Sequence, residues 1–296
     1  MRAAIITPTY RNDLAIVRGL CASVDAFVGA DVHHYLVVPR GQYRLFADLI
    51  SARRTVMVIE DVLPHGFFKL PLPARLPFTD RCLREWWVVP GKRRVSGWII
   101  QQIVKLSADR ICDADIFVFI DSDVRLLRPL DAALFRHGDA VRFVHKPGLG
   151  ADQPAQAAWS RVVGRLLGIA PQDYYGADYV GNIISWRRDT VLRLQARIAG
   201  STGLPWQIAV GREALFSEYM AYGVFIDHVE TDETGHARTS ESLTLNSWNY
   251  ALSRAGEEAR FLADWQPHHI GVLLQSTERL SLGVRERIIA ALEVRR

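Results

Sequence analysis

Two carboxylates one residue apart follow a continuous apolar run. Ile116-Phe117-Val118-Phe119-Ile120 reads as a strand, and Asp121-Ser122-Asp123 leaves its carboxyl end. In an extended chain residues i and i+2 point the same way, with Cα atoms about 6 to 7 Å apart, so Asp121 and Asp123 can bracket one cation. Oxygen-only ligation favours Mg²⁺ or Mn²⁺, which keep coordination positions open for phosphate oxygens. The chemistry served is charge neutralisation on a phosphate-bearing ligand. Spacing alone is not selective, because Asp113-Ala114-Asp115 repeats it. That pair precedes the strand, whereas ligands of open parallel sheets bind beyond the carboxyl ends of the strands. The alternative for Asp121 and Asp123 is a solvated acidic turn or a helix cap.

Elements that could place this pair are legible upstream. Ala3 to Ile6, His34 to Val38, Thr55 to Ile59 and Ile116 to Ile120 have the apolar, β-branched character of strands. Helices are expected from about Asn12 to Phe27, Gln42 to Ile50 and Trp98 to Asp109. This alternation predicts an α/β fold with a mostly parallel sheet flanked by helices. An all-apolar strand such as Ile116 to Ile120 is expected where both sheet faces are buried. Between Asp61 and Gly97 the pattern breaks into a Pro-rich stretch holding Pro64, Pro71, Pro73, Pro77 and Pro90, with Trp86, Trp87 and Lys92-Arg93-Arg94. It reads as a long loop, either packed on the core or touching ligand. The second half is less regular. Strands are expected at Phe143 to His145 and Tyr179 to Trp186, and helices at Gln156 to Leu167, Asp189 to Ile198, Arg212 to Tyr222 and Val284 to Val294, the last starting after Gly283.

The 296 residues suit one α/β domain, residues 1–125 forming a ligand-binding half and 126–296 a second half. The apolar fraction of 49% is that of a globular core, and the net charge of +4 does not argue for nucleic acid. Cys21, Cys82 and Cys112 form no C-x-x-C pair, which points to a reduced, cytoplasmic protein. The apolar start is too short for a signal peptide, and no run reaches the ~18 to 20 residues of a membrane span. Membrane contact is expected to be peripheral at most, at the inner face.

Ile116 to Val124 resembles the D-x-D segment of GT-A-fold glycosyltransferases, and its placement after three strand–helix units is similar. Ile5-Ile6-Thr7-Pro8-Thr9-Tyr10-Arg11 resembles the first strand and nucleotide-contacting turn of that class. Gly97 to Leu106, Gly181-Asn182 and Phe216-Ser217-Glu218-Tyr219 are similar to an uncharacterised bacterial glycosyltransferase-like family. The resemblance implies a GT-A-like Rossmann-type sheet with an irregular acceptor-side half. It implies transfer of a sugar from a nucleoside-diphosphate sugar to a hydroxyl of a glycan, glycolipid or other acceptor, as in bacterial surface glycan synthesis. Thr7, Pro8, Thr9, Arg11 and Ser122 would contact the nucleotide sugar, and Lys105 or the Lys92-Arg93-Arg94 loop its diphosphate. Asp121 and Asp123 would hold the metal. His269, or its neighbour His268, would be a third ligand, although the lysine and tryptophan that follow this histidine in glycogenin-like enzymes are absent. Glu218 would be the base that deprotonates the acceptor, with Asp178 and Asn182 as other sugar or acceptor contacts. Each has a structural alternative: a β1–α1 turn capped by Asn12, a surface lysine, a hydrogen-bonded histidine, a helix-surface glutamate. Of Gln101 and Gln102, adjacent on a helix, at least one is expected at the surface.

Two rivals remain. A haloacid-dehalogenase-type phosphatase also places D-x-D after an apolar strand and uses one Asp as nucleophile. That class continues with Gly and Thr or Val and carries a later Gly-Asp…Asp pair. Here Val124-Arg125 follows, and Gly138-Asp139 has no Asp four or five residues on. A nucleotide-sugar-binding protein without turnover is the non-enzymatic rival, since fold does not settle function.

Overall fold

The computed structural model describes residues 1–73, 85–230 and 235–295, apart from the side chain of Arg93. Pro77, Cys82 and the centre of the Pro-rich stretch lie outside the described residues. In chain order the elements that build the site are β1 (Ala3–Pro8), α1 (Leu14–Phe27), β2 (His33–Val38), β3 (Arg54–Val58), β4 (Trp86–Val89), β5 (Lys92–Ser96), α2 (Gly97–Leu106), β6 (Ile116–Phe119), β7 (Val124–Leu126), α3 (Pro154–Leu167), β8 (Ile184–Arg187), α4 (Arg188–Thr202), α5 (Glu218–His228), β9 (Gly271–Leu273) and α6 (Leu282–Glu293).

The central sheet has five strands in the order β8-β6-β1-β2-β3. β6, β1, β2 and β3 run parallel, and β8 adds an antiparallel edge. The chain is therefore α/β with a largely parallel sheet, as the alternation implied. Period-2 geometry gives the strands two apolar faces. Ala4, Ile6, Val37, Phe117 and Phe119 pack with Ile100 and Ile103 of α2, Val163 of α3 and Met220 of α5. Ile5, Leu36, Val38, Val118 and Ile120 pack with Val17, Leu20 and Val24 of α1. Both faces of β6 are buried, which is why it tolerates no polar residue. The first of these cores draws on residues from both 1–125 and 126–296. A smaller cluster packs Val272 and Leu274 with Ile288 and Leu292 of α6.

Several expected elements differ. Gln42 to Ile50 is not one helix: a four-residue α-helix, Tyr43–Phe46, lies between two 3-10 turns. Trp98 to Asp109 is interrupted at Ser107, whose hydroxyl donates to Ile103 O at 2.8 Å and competes with the helical ladder. Of Arg212 to Tyr222 only Glu218 onward is helical, in α5, whose start Ser217 caps by accepting Met220 N–H at 3.3 Å; a separate short helix, Trp206–Gly211, ends before Arg212. Only Ile184 onward of the Tyr179 to Trp186 segment is paired to β6. α6 is capped by Ser281, which accepts Val284 N–H, rather than starting after Gly283. The Pro-rich stretch is not structureless in its described parts: β4 and β5 form a hairpin that Phe68–Lys69 extends to three antiparallel strands. Asp113 and Asp115 precede β6, where Asp115 accepts Arg2 N–H at 2.6 Å and Asp113 meets the Arg2 guanidinium at 3.1 Å. Among the described residues no helix is long and apolar enough to cross a membrane.

Candidate functional site

β2 and β3 lie on one side of β1 and β6 on the other, so the strand order reverses between β1 and β6. At such a switch point the connections leave in opposite directions and open a crevice. The strand ends are tied across it. Ile120 N–H donates to Ile6 O at 3.3 Å, and the Thr7 hydroxyl donates to Ile120 O at 2.7 Å. Asp121-Ser122-Asp123 makes the turn out of β6 into β7, which pairs antiparallel with β9. The C-terminal segment holds that turn: Leu274 N–H donates to Asp123 O at 3.2 Å, and Ser276 N–H to Asp123 Oδ2 at 2.8 Å. From the other side the Ser122 hydroxyl donates to Asp13 Oδ2 at 2.8 Å.

A buried cation joins this turn to the second half of the chain. Lys105 of α2 places Nζ 2.9 Å from Asp121 Oδ1 and 3.0 Å from Glu218 Oε1, and donates to the Tyr219 hydroxyl at 2.8 Å. Gln102, one turn back on the same helix, accepts Glu218 N–H at 3.0 Å and locks α2 against the start of α5. Burial opposes the charge on Lys105, but the carboxylates of Asp121 and then Glu218 outweigh it and hold its pKa well above the usual lysine value. Asp123 behaves oppositely: burial, then the charge of Asp121, pushes it up to about 7. Burial also raises Asp13, partly offset by the Ser122 hydrogen bond. Arg285 of α6 acts electrostatically on both Asp13 and Asp123, while its guanidinium donates to Leu274 O at 2.5 Å and Gln275 O at 3.0 Å. Three crowded acids at the mouth of a crevice create a field that a cation would relieve.

Pro8, Thr9, Lys105, Asp121, Ser122, Asp123 and Glu218 all line one cleft of about 2570 Å³. The other expected residues fall elsewhere. Thr7 is buried, its hydroxyl engaged with Ile120 O and 3.1 Å from His34 Nε2, so it clamps strands rather than lining the cleft. Arg11 is exposed beside the cleft wall, and its N–H donates to Gln42 Oε1 at 2.6 Å. Asn12 does not cap α1. Ser122 lines the cleft but spends its hydroxyl on Asp13. His269 does not meet the third-ligand expectation. Antiparallel pairing of β9 with β7 sets Leu273 beside Val124, so the chain runs away from Asp123 as it goes back to His269. There His269 Nδ1 accepts Gln266 N–H at 3.0 Å, and the ring packs on Trp265. His268 is exposed and lies outside the cleft wall. Asp178 lines the cleft, 3.4 Å from Lys146 Nζ. Asn182 is buried with neither amide atom hydrogen-bonded among the described residues, and it precedes Ile183, whose φ of 55° is a strained value for a β-branched residue. Lys92 lines the cleft while donating to Arg212 O and Glu213 O.

Among the described residues no three His, Cys, Asp or Glu side chains are grouped to hold a metal ion by themselves. The donor set that does fit is Asp121 with Asp123, each with a second oxygen to offer and the remaining positions left to ligand and water. Mg²⁺ is commonly held by one or two carboxylates plus substrate phosphates in this way. Sequence reasoning missed Asp13, Tyr219, Ser276 and Arg285. Asp13 had read only as part of a helix start, and Ser276 and Arg285 lie more than 150 residues from Asp123, beyond any local pattern.

The chain belongs to a family of unknown function, DUF6492, whose model matches residues 4–289. No curated protein matches it.

Proposed function

We propose that this chain is a GT-A-type glycosyltransferase that uses a divalent cation to move a sugar from a nucleoside-diphosphate sugar to a hydroxyl acceptor. The observation that carries the reading is the position of Asp121 and Asp123 at the β1/β6 switch point, in one cleft with Pro8, Thr9 and the charged Lys105. Nucleotides bind at such switch points in doubly wound sheets. A Mg²⁺ or Mn²⁺ held by Asp121 and Asp123 would neutralise charge growing on the leaving diphosphate. The chain's own residues supply the rest. Pro8 and Thr9 flank the nucleotide. Lys105, charged and fixed between two carboxylates, offsets part of the negative charge that Asp121 and Glu218 bring to the diphosphate end of the cleft. Glu218 stands at the inner wall as the group that accepts the acceptor's proton while the acceptor oxygen bonds the anomeric carbon and the bond to the diphosphate breaks. The buried, ion-paired setting of Glu218 requires the acceptor hydroxyl to reach the inner end of the cleft.

The test is a thermal-shift screen of nucleoside diphosphates and nucleotide sugars with and without Mn²⁺, followed by measurement of nucleoside diphosphate release. Metal-dependent stabilisation by one donor and its turnover are expected in the wild type, and both are lost in Asp121→Asn and Asp123→Asn. Donor turnover that survives both substitutions would sink the reading, and binding without any release would make the protein a binder.

A further inference from the structure

Beyond the charged end, the cleft changes character. α2 presents Trp98, Gln101 and Lys105 to it, spaced i, i+3 and i+7, which is one stripe of a helix. Lys105 marks the reacting end. Trp98 sits seven residues earlier, roughly 10 Å away along the helix axis, farther than one pyranose ring reaches. There Trp98 is 39% exposed, and its ring lies 6.0 Å from that of the half-buried Trp159 of α3, the planes 34° apart. Trp98 and Trp159 thus form an aromatic pair that keeps part of its surface in water inside the cleft, where a ligand's apolar face could cover it.

The surroundings decide what that is. Leu149 and Leu215 add exposed aliphatic surface, but Gln101, on the same stripe as Trp98, and Asp152 and Gln153, next to Leu149 in the chain, line the same cleft. A lipid chain laid here would desolvate those polar groups without pairing them. A sugar ring would not: its axial C–H face is apolar and weakly positive, matching the negative face of an indole, while its equatorial hydroxyls reach outward to amides and carboxylates.

We propose that the Trp98–Trp159 pair is an acceptor subsite that stacks a sugar ring one to two units away from the reacting hydroxyl, so that the acceptor is an oligosaccharide chain. This rests on the transferase reading only for the direction of the chain; the stacking site stands on its own geometry. Trp98 touches the acceptor remote from the reacting atoms and sets specificity for acceptor length.

The experiment is equilibrium binding, by calorimetry, of glucose, galactose, mannose and N-acetylglucosamine and of their trisaccharides to the full chain. Wild type, Trp98→Ala and Trp98→Tyr are compared, and UDP, GDP, ADP, CDP and dTDP, each with Mn²⁺, are titrated separately. At least one trisaccharide is expected to bind at least tenfold more tightly than its monosaccharide. Trp98→Ala removes that advantage, Trp98→Tyr keeps most of it, and nucleotide binding is the same in all three. Failure of every trisaccharide to bind, or equal affinity for wild type and Trp98→Ala, overturns the subsite, as does displacement of the glycan by a sugar-free alkyl detergent with higher affinity. Trisaccharide binding that survives while no nucleotide binds in the separate titration supports the subsite and counts against the transferase reading instead.

Discussion

The Lys105 ammonium lies 2.9 Å from the first carboxylate of the Asp-x-Asp pair, so Asp121 is already ion-paired within the protein. The same ammonium lies 3.0 Å from Glu218, and through it the turn after β6 is coupled to the start of α5. A buried cation shared by two carboxylates ties the turn after β6 to α5 through charge rather than apolar packing.

Removing that cation leaves a buried carboxylate uncompensated. Lys105→Met is expected to lower stability by about 3 to 5 kcal/mol, the usual cost of breaking one partner of a buried pair. Adding Glu218→Gln should recover part of the loss, because the stranded charge goes with it. Urea denaturation of the two single variants and the double variant measures the coupling. Additive losses would show that the pair does not act as a unit.

Asp123 gives a pH dependence with a definite sign. Its folded pKa, about 7, lies above the ordinary aspartate value. Between the two values the folded state holds the extra proton, so stability from this group is present at low pH and is lost as pH rises towards 7. Asp123→Asn is therefore expected to raise the melting temperature at pH 8, by an amount equivalent to about 4 kcal/mol at ~1.4 kcal/mol per pKa unit, and, if the proposed function holds, to abolish metal-dependent donor binding. A melting temperature that is lower at pH 8 and equal at pH 5 would contradict it.

The histidines act in the opposite sense. His236 is buried, its Nε2 2.9 Å from the Tyr222 hydroxyl, and burial followed by the charge of Arg187 depresses it to about 4. His269 is depressed to about 4 as well, by burial and then His268. The unfolded chain takes up these protons from about pH 6.5 downward while the folded chain refuses them. Stability is expected to fall between pH 6.5 and 4, and a His236→Gln variant should show a shallower fall in its melting curves over that window.

Gly223 of α5 meets the ring of Tyr179, where an added Cβ would lie 2.1 Å from ring carbon. Tyr179 stacks on Phe143 and donates to Asp227 Oδ2 at 2.7 Å, so it has little freedom to withdraw. Gly223→Ala is expected to destabilise by about 1 to 3 kcal/mol through overpacking, outweighing the helix-propensity gain of up to about 1 kcal/mol. A rise in denaturant midpoint would show that the ring can move.

Periodicity in the sequence was enough to place the strands of the parallel sheet, because alternation and all-apolar runs report burial directly. The position of Asp121 and Asp123 after the apolar strand was legible for the same reason, as was their distinction from Asp113 and Asp115. Helix boundaries depended on side chains that bond to nearby backbone: Ser107 interrupts what periodicity read as a single helix, and Ser217 caps a helix that starts six residues later than periodicity read it. Only the tertiary structure could decide which residues meet Asp121 and Asp123. Lys105 and Glu218 were candidates by residue type, but their contact with each other joins helices more than a hundred residues apart in sequence. Asp13 and Ser276 carried no local mark, and His269 carried a misleading one. The antiparallel register of β7 and β9 brings Ser276 to the Asp121–Asp123 turn and carries His269 away from it. Local sequence encodes which backbone groups are buried; which side chains share a cleft is set by strand order and register, and those depend on the whole chain.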